Sequence, residues 1–143
     1  MAKDKVYDPK IVSIIAGATP IRGLDPDSML KIERDVPELY RDNVDAYGTL
    51  TRFKEVNNTC SVTITLTQSS DGNDTFSNYM QLDKQSDAGT FPLSINDRNG
   101  KSLFFSKSAY IYKAPTVEFG NDNKSREWVL KATEMDMYVG GIS

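Results

Sequence analysis

The sequence contains no histidine and only one cysteine among its 143 residues. Without histidine the chain cannot build a Ser–His or Cys–His nucleophile pair, and it lacks the commonest general base and any imidazole ligand for zinc. A single cysteine cannot form an internal disulfide, which fits the reducing cytoplasm. Cys60 lies on the apolar side of a predicted strand, so we expect a buried, unreactive thiol. Most nucleophilic and zinc-dependent enzyme chemistry is therefore excluded.

Long apolar runs and basic clusters are also missing. No apolar run approaches the roughly 20 residues that a helix needs to cross a bilayer, and the charged N-terminus lacks the apolar core of a signal peptide. The net charge is −3, and acidic and basic residues are mixed along the chain. Tight binding to nucleic-acid phosphates is therefore not expected. The nine glycines form neither a phosphate-binding loop nor a dinucleotide fingerprint. We expect no membrane partner and no cofactor.

Paired carboxylates are the remaining route to catalysis, because two of them suffice to hydrolyse a glycosidic bond. Glu33 with Asp35, and Glu134 with Asp136, are spaced two residues apart on predicted strands, which places each pair on one face. A solvated strand face explains both pairs more simply. We therefore predict that the protein is not an enzyme and has no catalytic or metal site.

Two stretches show the alternation of a half-buried strand. In residues 60–68 apolar side chains alternate with hydroxyl side chains over the whole length. Residues 125–138 form the longest strand candidate, with Trp128, Leu130 and Ala132 sharing one face. Both stretches are expected to place their apolar faces in one core.

A helix and a hairpin follow the first of these strands. Phe76, Tyr79, Met80 and Asp83 are spaced as on one face of an amphipathic helix, which Asp71, Asn73 or Asp74 can cap. The dipeptide Asn99-Gly100 then separates two apolar runs, at residues 91–98 and 101–105, and this is the strongest short-range signal for a β-hairpin. Further strands are predicted at residues 10–16, 19–22, 28–34, 106–113 and 117–119. Seven or eight strands and one helix predict a mainly β, antiparallel sandwich or barrel, in a single domain spanning residues 1–143.

Residues 36–56 keep no sustained period of 2 or 3.6. A structureless connection of this length is uncommon inside a compact domain and is usually functional or disordered. The segment carries aromatic residues that a solvated linker does not need. Two interpretations remain open at this point: an Ω-type loop packed on its own domain, or a loop that becomes ordered against another chain.

Short tracts in a fixed order carry a family resemblance. They are Tyr-Asp-Pro-Lys at 7–10, Ile-Glu-Arg-Asp at 32–35, Val-Thr-Ile-Thr-Leu at 62–66, Phe-Pro-Leu at 91–93, Asp-Arg-Asn-Gly at 97–100, Leu-Phe-Phe at 103–105, Pro-Thr-Val-Glu-Phe-Gly at 115–120 and Arg-Glu-Trp-Val-Leu at 126–130. In this order and at these spacings, the chain resembles the tail tube proteins of contractile-tailed bacteriophages from about residue 7 to residue 138. These proteins are related in plan to the tube proteins of type VI secretion systems.

The resemblance implies a structural virion protein in the phage tail, assembled in the cytoplasm of the bacterial host. Six copies are expected to close into a ring, and rings to stack into a tube through which DNA passes transiently and without specific binding. Implied partners are other copies of the chain and the sheath, tape measure, baseplate and tail terminator proteins. The long loop at residues 36–56 is expected to make contacts between rings. The expected contact residues are Tyr40, Arg41, Asp42, Val44, Tyr47, Leu50, Arg52 and Phe53.

A DNA channel favours a smooth wall that does not bind phosphate. Two strand faces are candidates for this wall. One consists of Ser61, Thr63, Thr65 and Thr67, and the other of Lys31 and Glu33. An ordinary outer surface is the alternative for each.

Two other functions fit the same sequence. The chain is also compatible with the tube subunit of a phage-derived secretion or puncturing device. A soluble β-sandwich binding module, for instance for carbohydrate, is the alternative from a different class. That module would need an exposed aromatic platform, for which Tyr110 and Tyr112 are the candidates.

Overall fold

The fold is mainly β with one helix, as the sequence predicts. The computed structural model describes residues 12–24, 30–97, 100–120, 122 and 124–141. Its strands are β1 Val12–Ala16, β2 Thr19–Ile21, β3 Leu30–Arg34, β4 Tyr40–Val44, β5 Leu50–Lys54, β6 Cys60–Thr67, β7 Phe91–Asp97, β8 Leu103–Lys113, β9 Ser125–Thr133 and β10 Asp136–Tyr138, and its helix is α1 Gly72–Ser86. The tract at residues 7–10, the start of the strands predicted at 10–16 and 28–34, and the Arg98-Asn99 part of the predicted turn lie outside the described residues.

Eight of the ten strands form one antiparallel sheet in the order β2-β1-β7-β8-β9-β6-β3, with β10 also paired to β8. The sheet ends at β2 and β3, which do not pair with each other in the described part of the chain. The arrangement is therefore sandwich-like and open, and the barrel alternative is wrong. Buried side chains from β1, β2, β6, β7, β8, β9 and α1 form one core, against which the partly buried Leu30 and Ile32 of β3 pack.

The predicted inward faces of β6 and β9 are confirmed. Val62 lies opposite Leu130 and Ile64 lies opposite Trp128 in the register of the two strands, and all four side chains are buried. Cys60 is also fully buried, and this burial raises the pKa of its thiol above the ordinary value. The expectation of a buried thiol is thus confirmed, and the raised pKa disfavours the reactive thiolate.

Helix α1 packs its predicted apolar face onto the sheet. The ring of Phe76 is buried with its centroid 5.5 Å from that of Trp128, and Tyr79 stacks on Phe91 at 4.3 Å. The predicted side-chain caps are not made: Asp71 occupies the N-cap position without a side-chain hydrogen bond. Instead the hydroxyl of Ser70 accepts a hydrogen bond from the backbone N–H of Gly72 at 3.1 Å.

Three strand predictions need correction. The runs predicted at residues 101–105 and 106–113 belong to the single long strand β8, which pairs with β7, β9 and β10. Residues 125–138 are interrupted at Glu134, whose φ of 44° lies in the left-handed region and ends β9 before β10 begins. Residues 117–119 are not in a strand.

Candidate functional site

A β-hairpin projects from the sheet where the sequence predicts an irregular loop. We define the hairpin arm as residues 39–55, which contain β4 and β5. The strands pair from Tyr40 opposite Lys54 to Val44 opposite Leu50, and every residue in both strands is exposed. The segment is therefore a hairpin and not the irregular loop that the sequence predicts. The sequence pattern does not reveal its strands because neither face of the hairpin is buried. Without a buried face, the sequence has no reason to alternate apolar and polar residues.

The turn of the hairpin arm is held by one carboxylate. The side chain of Asp45 accepts hydrogen bonds from the backbone N–H groups of Tyr47 and Thr49, both at 2.9 Å. Gly48 has a φ of 84°, a conformation that glycine adopts without strain, and its N–H donates to the carbonyl of Asp45 at 3.0 Å. The Asp45 and Gly48 pair is the local signal that identifies the turn in the sequence.

The arm brings the predicted contact residues together. By the register, Tyr40, Asp42, Val44, Leu50 and Arg52 share one face, and Arg41 and Phe53 share the other. The guanidinium of Arg52 lies 4.6 Å from the ring centroid of Tyr40, and the ring of Tyr47 at the tip is 95% exposed. The arm therefore presents apolar side chains on both faces and at its tip, which is typical of a surface that another chain covers.

The root of the arm is fixed to the sheet by Asp35, which follows β3 directly. Its carboxylate accepts hydrogen bonds from the ammonium of Lys131 at 2.8 Å, the hydroxyl of Ser61 at 2.7 Å and the hydroxyl of Thr59 at 2.5 Å. Its backbone N–H donates to the carbonyl of Thr59 at 3.1 Å. This network ties the entry of the arm to its exit and to β9.

The same network sets the ionisation of Asp35. Partial burial pushes the pKa of its carboxyl upward, but the hydrogen bonds from Lys131, Thr59 and Ser61 outweigh this effect and hold the pKa at about 2. The bond to Asp35 likewise raises the pKa of Lys131. Sequence reasoning missed this pair because its members are 96 residues apart and carry no local pattern.

We expect Asp35→Asn to destabilise the monomer by about 1 kcal/mol at neutral pH, after allowance for solvent screening of a partly exposed pair. The folded pKa of about 2 lies below the ordinary 3.8, so the unfolded chain binds more protons between these values. The stability from this carboxylate is therefore complete above about pH 4 and is lost as the pH falls toward 2. Urea unfolding at a series of pH values measures the difference between wild type and variant.

Glu33→Gln is the matched control, because it also removes a carboxylate from this side of the sheet. Its ion pair with Lys31 is 3.3 Å long and lies between two largely exposed side chains. We expect that variant to stay within about 0.5 kcal/mol of wild type at every pH. An equal loss in both variants would contradict a special role for Asp35.

The two candidate channel faces form one surface. In the register of β3 and β6, Lys31 lies opposite Thr63 and Glu33 lies opposite Ser61. We define the polar sheet face as the outward residues of β3 and β6 together with the β9 residues beside them. It consists of Lys31, Glu33, Ser61, Thr63, Thr65, Thr67, Glu127, Val129 and Lys131. Thr65 is only 9% exposed and so contributes little to this surface.

Both lysines of the polar sheet face are paired with carboxylates. Lys31 contacts Glu33 within β3, and Lys131 contacts Asp35 at the root of the arm. The hydroxyl row of β6 lies beside the first pair, and its Ser61 end donates to the Asp35 carboxylate of the second. The face is thus hydrophilic but nearly charge-balanced, and neither lysine is left as an isolated cation for phosphate to bind.

The aromatic platform proposed for a carbohydrate-binding module offers one exposed ring, that of Tyr112, which is 52% exposed. Tyr110 is half-buried, and a bulge between Ile111 and Lys113 separates Tyr112 from the regular register. The ammonium of Lys131 lies 4.7 Å from the ring centroid of Tyr112, over the surface on which a sugar would stack. The geometry does not favour this alternative.

The described parts of the chain hold no group of three or more carboxylate, thiol or imidazole side chains arranged to bind a metal ion. Nor is any helix in those parts both long and apolar enough to cross a membrane.

One relative of the chain is a phage protein. The sequence is 31% identical over 147 aligned positions to Structural protein ORF10 of Pseudomonas phage KPP10, and the alignment covers 97% of this chain and 84% of that protein. No family model matches the sequence. The relative is a structural protein, which supports the prediction that this chain is not an enzyme.

Solved structures of contractile injection systems share the fold. The cap that terminates the tube of the anti-feeding prophage matches with a TM-score of 0.60 and 11% identity, over 96% of this chain and 94% of that one. The sheath–tube complex of an extracellular contractile injection system matches at 0.59 and 14% identity, over 93% and 91%. The sheath/tube terminator of the same system matches at 0.55 and 16%, over 96% and 100%.

Proposed function

Since this chain belongs to the family of phage structural proteins that includes Structural protein ORF10 of Pseudomonas phage KPP10, we propose that it is the repeating subunit of a phage tail tube. In this proposal six copies form a ring and the rings stack into a tube. The single observation that carries the proposal is the hairpin arm, an ordered element whose strand residues are all exposed. Such an element gains burial only from another chain.

The arm is suited to stacking because its shape is fixed before contact. The Asp45 turn holds the tip and the Asp35 network holds the root, so little conformational entropy is lost on docking. Tyr47, Val44 and Leu50 supply apolar area at the end farthest from the sheet. We propose that this end contacts the next ring.

The polar sheet face is suited to the wall of the channel. A wall of hydroxyl groups and mutually paired charges stays hydrated and offers phosphate no unpaired lysine on β3 or β9. The same tube would be built in the host cytoplasm into the virion tail and would contact sheath, tape measure, baseplate and terminator proteins. A tube subunit of a phage-derived secretion device would use the same two surfaces.

New positive charge on the wall of the channel should slow the ejection of DNA. Glu33→Lys and Thr63→Lys each place six cations around a hexameric ring, and each added phosphate contact strengthens DNA binding and its salt dependence. We expect both virions to assemble normally and to eject DNA slowly or incompletely, as measured by DNA release from purified particles. Asn78→Lys, on the exposed side of α1, is the matched control and should eject at the wild-type rate.

Free wild-type protein should bind duplex DNA weakly even near 50 mM salt, where phosphate contacts are strongest. Micromolar binding to duplex DNA at physiological salt would contradict the proposal that this protein lines a DNA channel. If both lysine variants eject DNA at the wild-type rate, the polar sheet face does not line the channel. That result would not contradict the tube proposal.

A terminator of the tube is the second candidate, because the tube-terminating cap of the anti-feeding prophage and the sheath/tube terminator of the extracellular system share the fold of this chain. The two roles differ in copy number. A tube subunit is present in many copies per particle and polymerises, whereas a terminator forms one ring. The number of copies of this chain per purified virion, measured against a protein of known copy number, distinguishes the two roles. A copy number that corresponds to one ring would support the terminator.

A further inference from the structure

Residues 116–119, in the connection between β8 and β9, have the sequence pattern of a strand but are not in one. Val117 and Phe119 alternate with Thr116 and Glu118, as in a half-buried strand. Val117 is nevertheless 55% exposed and Phe119 is 84% exposed. Among the described residues, none forms a backbone–backbone hydrogen bond with residues 116–119. The guanidinium of Arg126 lies over the Phe119 ring, 5.6 Å from its centroid.

The sheet offers one edge that suits such a strand. Of its end strands, β2 has three residues and contains Pro20, which has no N–H to donate. β3 has five residues and no proline, and it pairs on one side only, with β6. In the described part of the chain, nothing pairs with its other side. A strand with one unpaired side is a template for the strand of another chain.

We propose that residues 116–119 of one copy add as a strand to the free edge of β3 in a second copy. This inference rests on the proposed function, because it names the contact that closes neighbouring subunits into a ring. Leu30 and Ile32 of β3 are half-buried and pack against the core. With Val117 and Phe119 on their side of the sheet, the exposed apolar side chains of the segment extend the core across the subunit boundary.

Charge supports the same pairing. When Val117 and Phe119 lie on the side of Leu30 and Ile32, Glu118 falls on the opposite side with Lys31, because side chains alternate along a strand. Lys31 is 72% exposed and has Glu33 as its ion-pair partner at 3.3 Å. Glu118 supplies a second carboxylate across the boundary, and the polar sheet face continues from one copy into the next.

Two variants at one position test the backbone contact. Val117→Pro removes an N–H and fixes φ, whereas Val117→Thr keeps the N–H and a β-branched side chain. We expect Val117→Pro to raise the protein concentration needed for ring formation at least about tenfold. If the N–H of residue 118 faces the edge instead, Glu118→Pro should have this effect. The threonine variant should behave as wild type. All should keep the wild-type thermal midpoint, because the segment is in no strand of the monomer.

Cross-linking tests the partner. A Lys31→Cys protein and a Glu118→Cys protein carrying tags of different mass should form a disulfide-linked heterodimer when mixed, while buried Cys60 does not react. The doubly substituted chain should form covalent multimers rather than a monomer with an internal disulfide. Wild-type rings together with proline variants that assemble equally well and no heterodimer would overturn this inference alone. Wild-type protein that never assembles would overturn the proposed function as well.

Discussion

Replacing residues 42–52 with a short Gly/Ser linker will leave the monomer folded and abolish stacking. Both strands of the arm pair with each other, and all their residues are exposed, so the core loses nothing when the outer part of the arm is removed. Loop closure entropy changes slowly with length, so we expect the thermal midpoint to move by less than about 3 °C. Electron microscopy should show single rings or short stacks in place of tubes.

Point variants test whether the apolar side chains of the arm, and not only its length, are needed for stacking. Tyr47→Ser and Val44→Ser remove apolar area near the tip and should shorten tubes in proportion to the area lost. Asn43→Ser, a polar exchange on the other face of the arm, is the matched control and should leave tube length unchanged. A linker variant that unfolds would show instead that the arm belongs to the core of the monomer.

Asn73→Asp will have a large effect on the monomer itself. The amide nitrogen of Asn73 donates to the carbonyls of Thr67 at 3.0 Å and Ser70 at 3.1 Å, and its amide oxygen accepts from the indole N–H of Trp128 at 2.9 Å. One side chain thus joins the end of β6, the turn before α1 and the core of β9. Aspartate keeps the acceptor for Trp128, but it loses both donors and places negative charge against two carbonyl oxygens.

We expect this exchange to cost roughly 2 kcal/mol, about 5–8 °C in thermal midpoint for a chain of this size. Asn78→Asp makes the same chemical change on the exposed side of the same helix and should cost less than about 0.5 kcal/mol. Denaturant unfolding of the two variants gives the comparison. Similar values for both would contradict the role assigned to the Asn73 side chain.

The parts of the fold that were predicted from sequence are those with one buried and one exposed face. β6 and β9 alternate because Val62, Ile64 and Leu130 enter the core while their neighbours remain at the surface. In the same way, the spacing of Phe76 and Tyr79 predicts which face of α1 packs on the sheet. Burial imposes these periods, so they are visible in the sequence.

The parts that were not predicted lack that constraint. The hairpin arm is exposed on both faces, so its strands leave no periodic pattern. The pairing of Asp35 with Lys131, and of Asn73 with Trp128, depends on strand order across a long separation in sequence. Residues 117–119 show the opposite case, a strand pattern without a strand, because Val117 and Phe119 are not buried in the described monomer.

Assembly of the purified wild-type protein tests the central claim most directly. Negative-stain microscopy and sedimentation across a range of protein and salt concentrations give its oligomeric state. The proposed tube predicts conversion from monomer to hexameric rings and then to tubes as concentration rises, with the exposed arm and the open edge of β3 as the contact surfaces. A strictly monomeric protein at every concentration and salt would contradict the account.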